Sequence, residues 1–131
     1  MQTALFKHYS DIPDDVWPFK YFTPKEIACK GTGEILIDFY ALGCLDFFRK
    51  LAETPVILNS AYRSEKHNKS VGGSPNSQHL KGKAFDIRIT DRLTRQKIHD
   101  TARAAGFVGF GDYKSFVHID IRDKPAYWDL R

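Results

Sequence analysis

The strongest constraint on the fold of this chain is the alternation of apolar and polar side chains in residues 84–89 and 116–122. Every second side chain in each segment is apolar, namely Phe85, Ile87 and Ile89, and then Val117, Ile119 and Ile121. A period of two predicts two β-strands, each with one face in a hydrophobic core. The opposite faces are mainly polar and carry Asp86 and Arg88 on one strand and His118, Asp120 and Arg122 on the other.

Helical spacing is clearest in residues 37–51, where apolar side chains recur every three or four positions. Residues 91–105 show a similar pattern, and Thr23-Pro24-Lys25-Glu26 predicts a helix start with a cap, a proline and an acidic residue. Two further strands are predicted in residues 55–61 and 106–115. The order helix, helix, strand, loop, strand, helix, strand, strand predicts an α+β fold. Its small, mainly antiparallel sheet has helices packed on one face.

Length and composition are those of a globular protein with one core. The chain has 131 residues, of which 42% are hydrophobic and 27% are charged. Residues 1–22, rich in aromatics and prolines, are predicted to form an irregular arm packed on a single domain of residues 23–131. Cys29 and Cys44 lie in apolar segments without a C-x-x-C pair, which favours buried free thiols. A disulfide between them stays open.

The net charge of +4 suits an anionic partner, such as nucleic acid, an acidic cell-wall polymer or a membrane surface. The Lys and Arg residues are scattered, however, and no nucleic-acid-binding signature accompanies them, so we expect no nucleic-acid partner. No apolar run has the length of a membrane span, and the N-terminus lacks the pattern of a signal peptide. We therefore expect no membrane insertion and a soluble, cytoplasmic product.

A candidate metal site follows from the polar faces of the two alternating strands. His118 and Asp120 share a face because they are two residues apart, and Asp86 joins them if the strands are neighbours. His79 lies just upstream, so His79, Asp86 and His118 are expected to converge, although a plain polar turn before a strand is the alternative. Two imidazoles and one carboxylate with an open fourth position are typical of catalytic zinc, which activates water near neutral pH.

The segment SQHLKGKAFDI, residues 77–87, resembles the S-x-H-x-x-G-x-A-x-D signature of the zinc D-Ala-D-Ala carboxypeptidases. This family, the M15 metallopeptidases, includes murein endopeptidases and phage endolysins. Residues 59–73 are similar to its S-x-Y-R-S segment and Gly-Gly loop, and residues 109–122 are similar to its G-x-G-x-Y-x-x-F-V-H-x-D strand. The opening FTPKEIACKG is similar to small phage-encoded members. The resemblance spans roughly residues 20–128 and implies a hedgehog/D-Ala-D-Ala-peptidase-like fold.

The resemblance also implies roles for individual residues. One Zn²⁺ per chain would be held by His79, Asp86 and His118. The candidates for substrate contact are Arg63, Ser77, Gln78 and Tyr113. Arg63 would hold or polarise a substrate carbonyl or carboxylate, or it only forms a salt bridge that fixes its loop. Ser77 and Gln78 would line the site, or they only form and cap a turn, while Gly82 and Ala84 would allow close approach.

The general base departs from the family pattern. Some members have an acidic residue three positions before the last histidine ligand, where this chain has Ser115. Asp112, six positions before His118, resembles the acidic residue of hedgehog-type sites and is the favoured candidate. Asp120 is the second candidate, with the alternative that it only orients His118 or pairs with a neighbouring arginine.

The expected function is that of a monomeric zinc metallopeptidase that cleaves peptidoglycan stem or cross-link peptides. It would be of the D,D-carboxypeptidase/endopeptidase or the L-alanyl-D-glutamate type. The absence of a signal pattern suggests a phage or prophage endolysin that reaches the wall after holin-type release, or a virion-associated murein hydrolase. A zinc-stabilised, non-catalytic module that binds cell wall or protein is the alternative, because hedgehog domains carry a similar site that is not clearly used for hydrolysis.

Overall fold

The computed structural model describes residues 2–131, and Met1, the first residue of the predicted arm, lies outside the described residues. Within this range the strands and α-helices are β1 (Thr3–Phe6), α1 (Pro24–Ile27), β2 (Ile35–Asp38), α2 (Phe39–Ala52), β3 (Leu58–Ser60), α3 (Glu65–Ser70), β4 (Ala84–Arg88), α4 (Arg95–Ala104), β5 (Gly109–Asp112), β6 (Phe116–Asp120) and β7 (Ala126–Asp129). Short 3₁₀ helices lie at Tyr9–Asp11, Asp14–Val16 and Gln78–Lys81.

The main sheet has the strand order β3-β4-β6-β5-β7. All neighbouring strands in it are antiparallel except β5 and β7, which are parallel. The two strands with alternating side chains, β4 and β6, lie side by side at its centre. Their register places Asp86 opposite His118 and Phe85 opposite Ile119. The polar side chains of the two strands therefore share one face of the sheet.

The other face of the sheet forms the core with the helices. Phe85, Ile87, Val117 and Ile119 are all at most 1% exposed. They belong to one cluster with the inner side chains of α2 and α4, and α4 packs against both β6 and α2. The fold is thus α+β, with a mainly antiparallel sheet covered by helices on one face, as the sequence predicts.

The N-terminal third differs from the prediction. The predicted irregular arm contains β1, which pairs with β2 in a separate two-stranded antiparallel sheet. Ile37, predicted to begin the long helix, instead lies in β2, and α2 begins at Phe39. The reason is local, since the Asp38 side chain accepts the N–H of Ala41 at 2.9 Å and so caps the helix there. The division into an arm and a domain stays a prediction.

The remaining differences concern helix α4 and the C-terminus. Helix α4 begins at Arg95 and not at residue 91, because Thr94 caps it by accepting the N–H of Lys97. Strand β7 was not predicted. Cys29 and Cys44 are both buried and free. Between residues 2 and 131, none of the helices combines the length and the apolar character that crossing a bilayer requires.

Candidate metal centre

Three side chains converge on the polar face of the sheet. His79 Nε2 lies 3.2 Å from Asp86 Oδ1, and His118 Nδ1 lies 3.1 Å from the same oxygen. The ligand atoms of the three residues all lie within 4.8 Å of one another. The three residues are buried, with exposed fractions of 1% for His79, 4% for Asp86 and 7% for His118. The structure thus brings together the three predicted metal ligands.

The outer nitrogen of each histidine is held by an acceptor. His79 Nδ1 donates to the carbonyl oxygen of Ala61 at 2.6 Å, and His118 Nε2 donates to Asp120 Oδ2 at 2.7 Å. In the neutral rings these bonds hold the proton away from Asp86, so the nitrogens that face Asp86 carry lone pairs; in the protonated rings the same nitrogens donate to Asp86. Imidazoles that ligate metals are oriented by a carbonyl or a carboxylate in the same way. The donor set and its supporting contacts therefore fit a zinc ion.

The turn that precedes β4 positions His79. The Ser77 side chain accepts the N–H of His79 at 3.1 Å and caps the 3₁₀ helix Gln78–Lys81. The helix ends at Gly82, whose φ is +71°. A Cβ at Gly82 would lie 2.9 Å from the backbone oxygen of Leu36, so both the conformation and the space favour glycine. The motif S-x-H-x-x-G thus supplies a helix cap at Ser77, a candidate metal ligand at His79 and the end of the helix at Gly82.

Electrostatics within the cluster favour a charged Asp86. Burial by itself would raise the pKa of Asp86, but hydrogen bonds from His118 and His79 outweigh it and hold that pKa below its usual range. Burial lowers the pKa of His118, and its bonds to Asp120 and Asp86 outweigh this and raise it. Asp86 therefore stays an anion, as metal binding requires.

Arg63 is fixed beside the cluster by three acceptors. Its Nε donates to Ser60 Oγ at 3.1 Å, its Nη1 to Asn68 Oδ1 at 3.2 Å, and its Nη2 to Asp86 Oδ2 at 3.4 Å. The structural alternative for Arg63, an ion pair that holds its segment, is therefore present. The guanidinium also lines the cleft described next, and a positive charge there can polarise an oxygen atom bound in the cleft.

A cleft of about 640 Å³ lies over the cluster. Among its lining residues are Arg63 and the other three predicted substrate contacts, Ser77, Gln78 and Tyr113. Part of its wall is formed by the Gly-Gly loop, through Gly72, Gly73 and Ser74. A site of this kind, concave and with a few converging polar groups, is suited to holding a small segment of substrate.

Trp128 is a cleft residue that the sequence analysis missed. It comes from β7, lies with its ring centre 5.0 Å from that of His118, and donates its Nε1–H to Tyr113 Oη at 3.0 Å. A Cβ at Gly111 would meet the Trp128 indole at 2.3 Å. The sequence feature that could have indicated this is the pair of glycines at alternate positions of β5, Gly109 and Gly111. They leave room for large side chains on that face of the sheet.

The register of β5 places Asp112 on the wrong side of the sheet for the predicted role. Gly111 pairs with His118, and Asp112 pairs with Val117. Paired residues of neighbouring strands point to the same face. Because Val117 points into the core beneath the helices, Asp112 points away from the metal cluster and does not line the cleft.

The contacts of Asp112 agree with this placement. Its carboxylate accepts bonds from Arg95 Nη1, His99 Nε2 and Tyr127 Oη, each at 2.8 Å. These partners come from α4 and β7. The structure therefore does not bring Asp112 to the metal cluster, because its side chain is 3% exposed and engaged on the opposite face of the sheet. Its role as the general base stays a prediction that this placement does not support.

Asp120, the second candidate base, lies behind the cluster. It is fully buried, and its carboxylate is bound by His118 Nε2 and by Arg122. This geometry fits the alternative, in which Asp120 orients His118 and pairs with an arginine. Ser115, at the position where some family members are expected to have an acidic residue, is exposed in the turn after β5. Within residues 2–131, Asp86 is the one carboxylate among the cleft-lining side chains.

The chain matches a known peptidase family over the region that contains the candidate metal centre. Residues 20–120 match the family described as Peptidase M15, and this stretch holds all three converging side chains. No curated protein matches the chain. Because the match spans more than half of the sequence and its fold is the α+β arrangement described above, this chain belongs to the M15 peptidase family.

Proposed function

We propose that this protein is a zinc-dependent peptidase that hydrolyses peptidoglycan peptides. The observation that carries the proposal is the convergence of His79, Asp86 and His118 at the floor of a cleft, in a chain of the M15 family. Both histidines are oriented from behind, and the anionic state of Asp86 is favoured. A bound zinc ion would polarise the scissile carbonyl and lower the pKa of water.

The chain's own residues support this chemistry in three ways. Arg63, fixed by its acceptors, presents positive charge where negative charge develops on the carbonyl oxygen. Asp120 keeps the proton of His118 on Nε2 and so leaves Nδ1 free as a ligand. Ser77, Gln78 and Tyr113 border the cleft and would position the peptide. Hydrolysis adds water across the peptide C–N bond and leaves a carboxylate and an amine.

The choice of peptidoglycan as substrate rests on the signature sequence and on charge. The segment from Ser77 to Asp86 resembles that of murein peptidases, and the net charge of +4 favours an acidic wall polymer. We further propose a phage or prophage endolysin, or a virion-associated murein hydrolase, that acts as a monomer on the cell wall after release from the cytoplasm.

The deciding experiment is mass spectrometry of purified murein sacculi incubated with the protein. We expect new peptide fragments that disappear with a chelator and return when zinc is added, and their masses would identify the bond that is cut. A His79→Ala variant is the matched control, since it lacks one ligand and should release no fragments. An unchanged digest by a protein shown to hold one zinc ion would reject the peptidase function for this substrate.

A second candidate function is a zinc-stabilised module that binds cell wall without turnover. The observation in its favour is the lack of a further carboxylate in the cleft lining of residues 2–131, with Ser115 at the position where some family members would have an acidic residue. This module would sediment with sacculi and lose stability on chelation without releasing fragments.

A further inference from the structure

A second arginine, Arg122, lines the cleft beside His118. Its Nε donates to Asp120 Oδ1 at 2.8 Å, and its Nη2 donates to Asp120 Oδ2. Its Cζ lies 5.3 Å from the centre of the Trp128 ring. The guanidinium is thus held along one edge by a buried carboxylate and stacked on an aromatic ring. Arginine fixed in this way loses little conformational entropy when it binds a further group.

The other edge of the Arg122 guanidinium is available. Among the contacts of residues 2–131, Nη1 has no hydrogen-bond partner. The side chain is 27% exposed, whereas Asp120 behind it is fully buried. Nη1 and the remaining hydrogen of Nη2 therefore form a donor pair of the kind that binds one carboxylate in a planar, two-bond arrangement.

The balance of charge around the cluster points to an anionic ligand. Two carboxylates, Asp86 and Asp120, face two arginines, Arg63 and Arg122, and each carboxylate is already bonded to one of them. Their charges cancel, so a divalent ion at the three ligands would leave its own charge unbalanced. The cleft lining of residues 2–131 offers no further carboxylate to offset it. A substrate with a negative charge next to its reacting bond would offset the charge of the metal ion.

We propose that Arg122, seated on Trp128, binds a free carboxylate of the substrate peptide next to the scissile bond and so selects acidic peptides. The inference rests on the proposed peptidase function and names the chemistry of the substrate that the same cleft takes. Arg122 is then a specificity-determining residue, distinct from Arg63, whose three donor nitrogens are all bonded to the protein.

The test compares two forms of one substrate. Native sacculi are set beside sacculi whose free carboxylates have been converted to methylamides with carbodiimide and methylamine. The zinc-loaded wild type and an Arg122→Gln variant digest both, with initial rates taken from fragment release. We expect the wild type to prefer native sacculi about tenfold or more, the effect of one charged hydrogen-bonded pair. The Arg122→Gln variant should lose most of that preference.

An Arg103→Gln variant is the matched control. Arg103 also stacks on an aromatic ring, with its Cζ 4.7 Å from the centre of Phe110, but it does not line this cleft. The control removes the same charge and should keep the wild-type preference. If Arg122 only supported Asp120 and the metal, its variant would lose zinc and slow on both substrates alike. An unchanged ratio of rates would overturn the proposal.

Binding separates failure of this inference from failure of the proposed function. Co-sedimentation of each protein with the two forms of sacculi, in chelator, needs no turnover. If the wild type releases no fragments but binds native sacculi more tightly, and Arg122→Gln abolishes that difference, the peptidase function fails and the carboxylate site stands. Equal binding of native and amidated sacculi by the wild type, with equal or absent cleavage, would reject the site.

Discussion

Replacing Asp112 with asparagine should weaken the fold without impairing hydrolysis. The carboxylate is 3% exposed and joins α4, β5 and β7 through bonds from Arg95, His99 and Tyr127. An asparagine fills the same space, but it carries no charge and cannot accept all three bonds in the same geometry. The variant therefore separates a structural role for Asp112 from the catalytic role that the sequence suggested.

The size of the effect can be worked from the pKa of Asp112. Burial would raise that pKa, but bonds from His99, Arg95 and Tyr127 outweigh it and lower the pKa from 3.8 to about 2. One pKa unit corresponds to about 1.4 kcal/mol, so the charged form contributes about 2 kcal/mol to the free energy of unfolding at pH 7. Loss of about 2 kcal/mol is expected to leave the protein folded, given typical domain stabilities of about 5–15 kcal/mol.

The pH dependence has a definite sign. The pKa of Asp112 is lower in the folded than in the unfolded chain, so its stabilisation is complete above pH 4 and declines as the pH falls towards 2. The difference in unfolding free energy between wild type and Asp112→Asn should therefore be about 2 kcal/mol at pH 7 and about half as large at pH 3. Urea unfolding followed by tryptophan fluorescence measures it.

Asp129→Asn is the matched control, because Asp129 pairs with Asp112 across β5 and β7 but bonds Arg131 at the surface. Loss of this exposed ion pair should change the free energy of unfolding much less than loss of the Asp112 carboxylate. The rate of fragment release per folded, zinc-loaded molecule should stay within about twofold for Asp112→Asn. A hundredfold lower rate of fragment release, with zinc bound and the fold intact, would refute this reasoning and support a catalytic role for Asp112. Unchanged stability would refute the calculation.

Two further substitutions test the support of the metal centre. Asp120→Asn should lower zinc affinity about 10- to 100-fold, because the amide holds His118 Nε2 less firmly; competition with a chromophoric chelator measures this, and unchanged affinity would contradict it. Gly82→Ala should destabilise the fold by about 1–3 kcal/mol or more, since its φ is +71° and its Cβ would lie 2.9 Å from the Leu36 oxygen. Gly72→Ala, at φ +73° with open space around its Cβ, should cost less, and equal losses in urea unfolding would remove the argument from close approach.

Much of the metal centre was predictable because it depends on local patterns. Alternation of period two fixes which side chains of a strand share a face, and this placed Asp86 and His118 opposite the core side. The cap at Ser77 and the stop at Gly82 are also local, since they depend on hydrogen bonds and φ angles within a few residues. The sequence therefore determined the α+β class, the polar face of the central strands and the three side chains that converge there.

The tertiary structure decided which other groups reach that face. Whether Asp112 points to the cleft or to the helices depends on the register of β5 against β6, and one residue of slip would reverse it. Trp128 reaches the cleft only because β7, the C-terminal strand, pairs in parallel with β5. Strand order and register are set by packing between distant parts of the chain. Strands as short as these contain too few residues for the sequence pattern to predict either one. The sequence by itself therefore located the candidate metal site, and long-range strand pairing determined which side chains line the cleft around it.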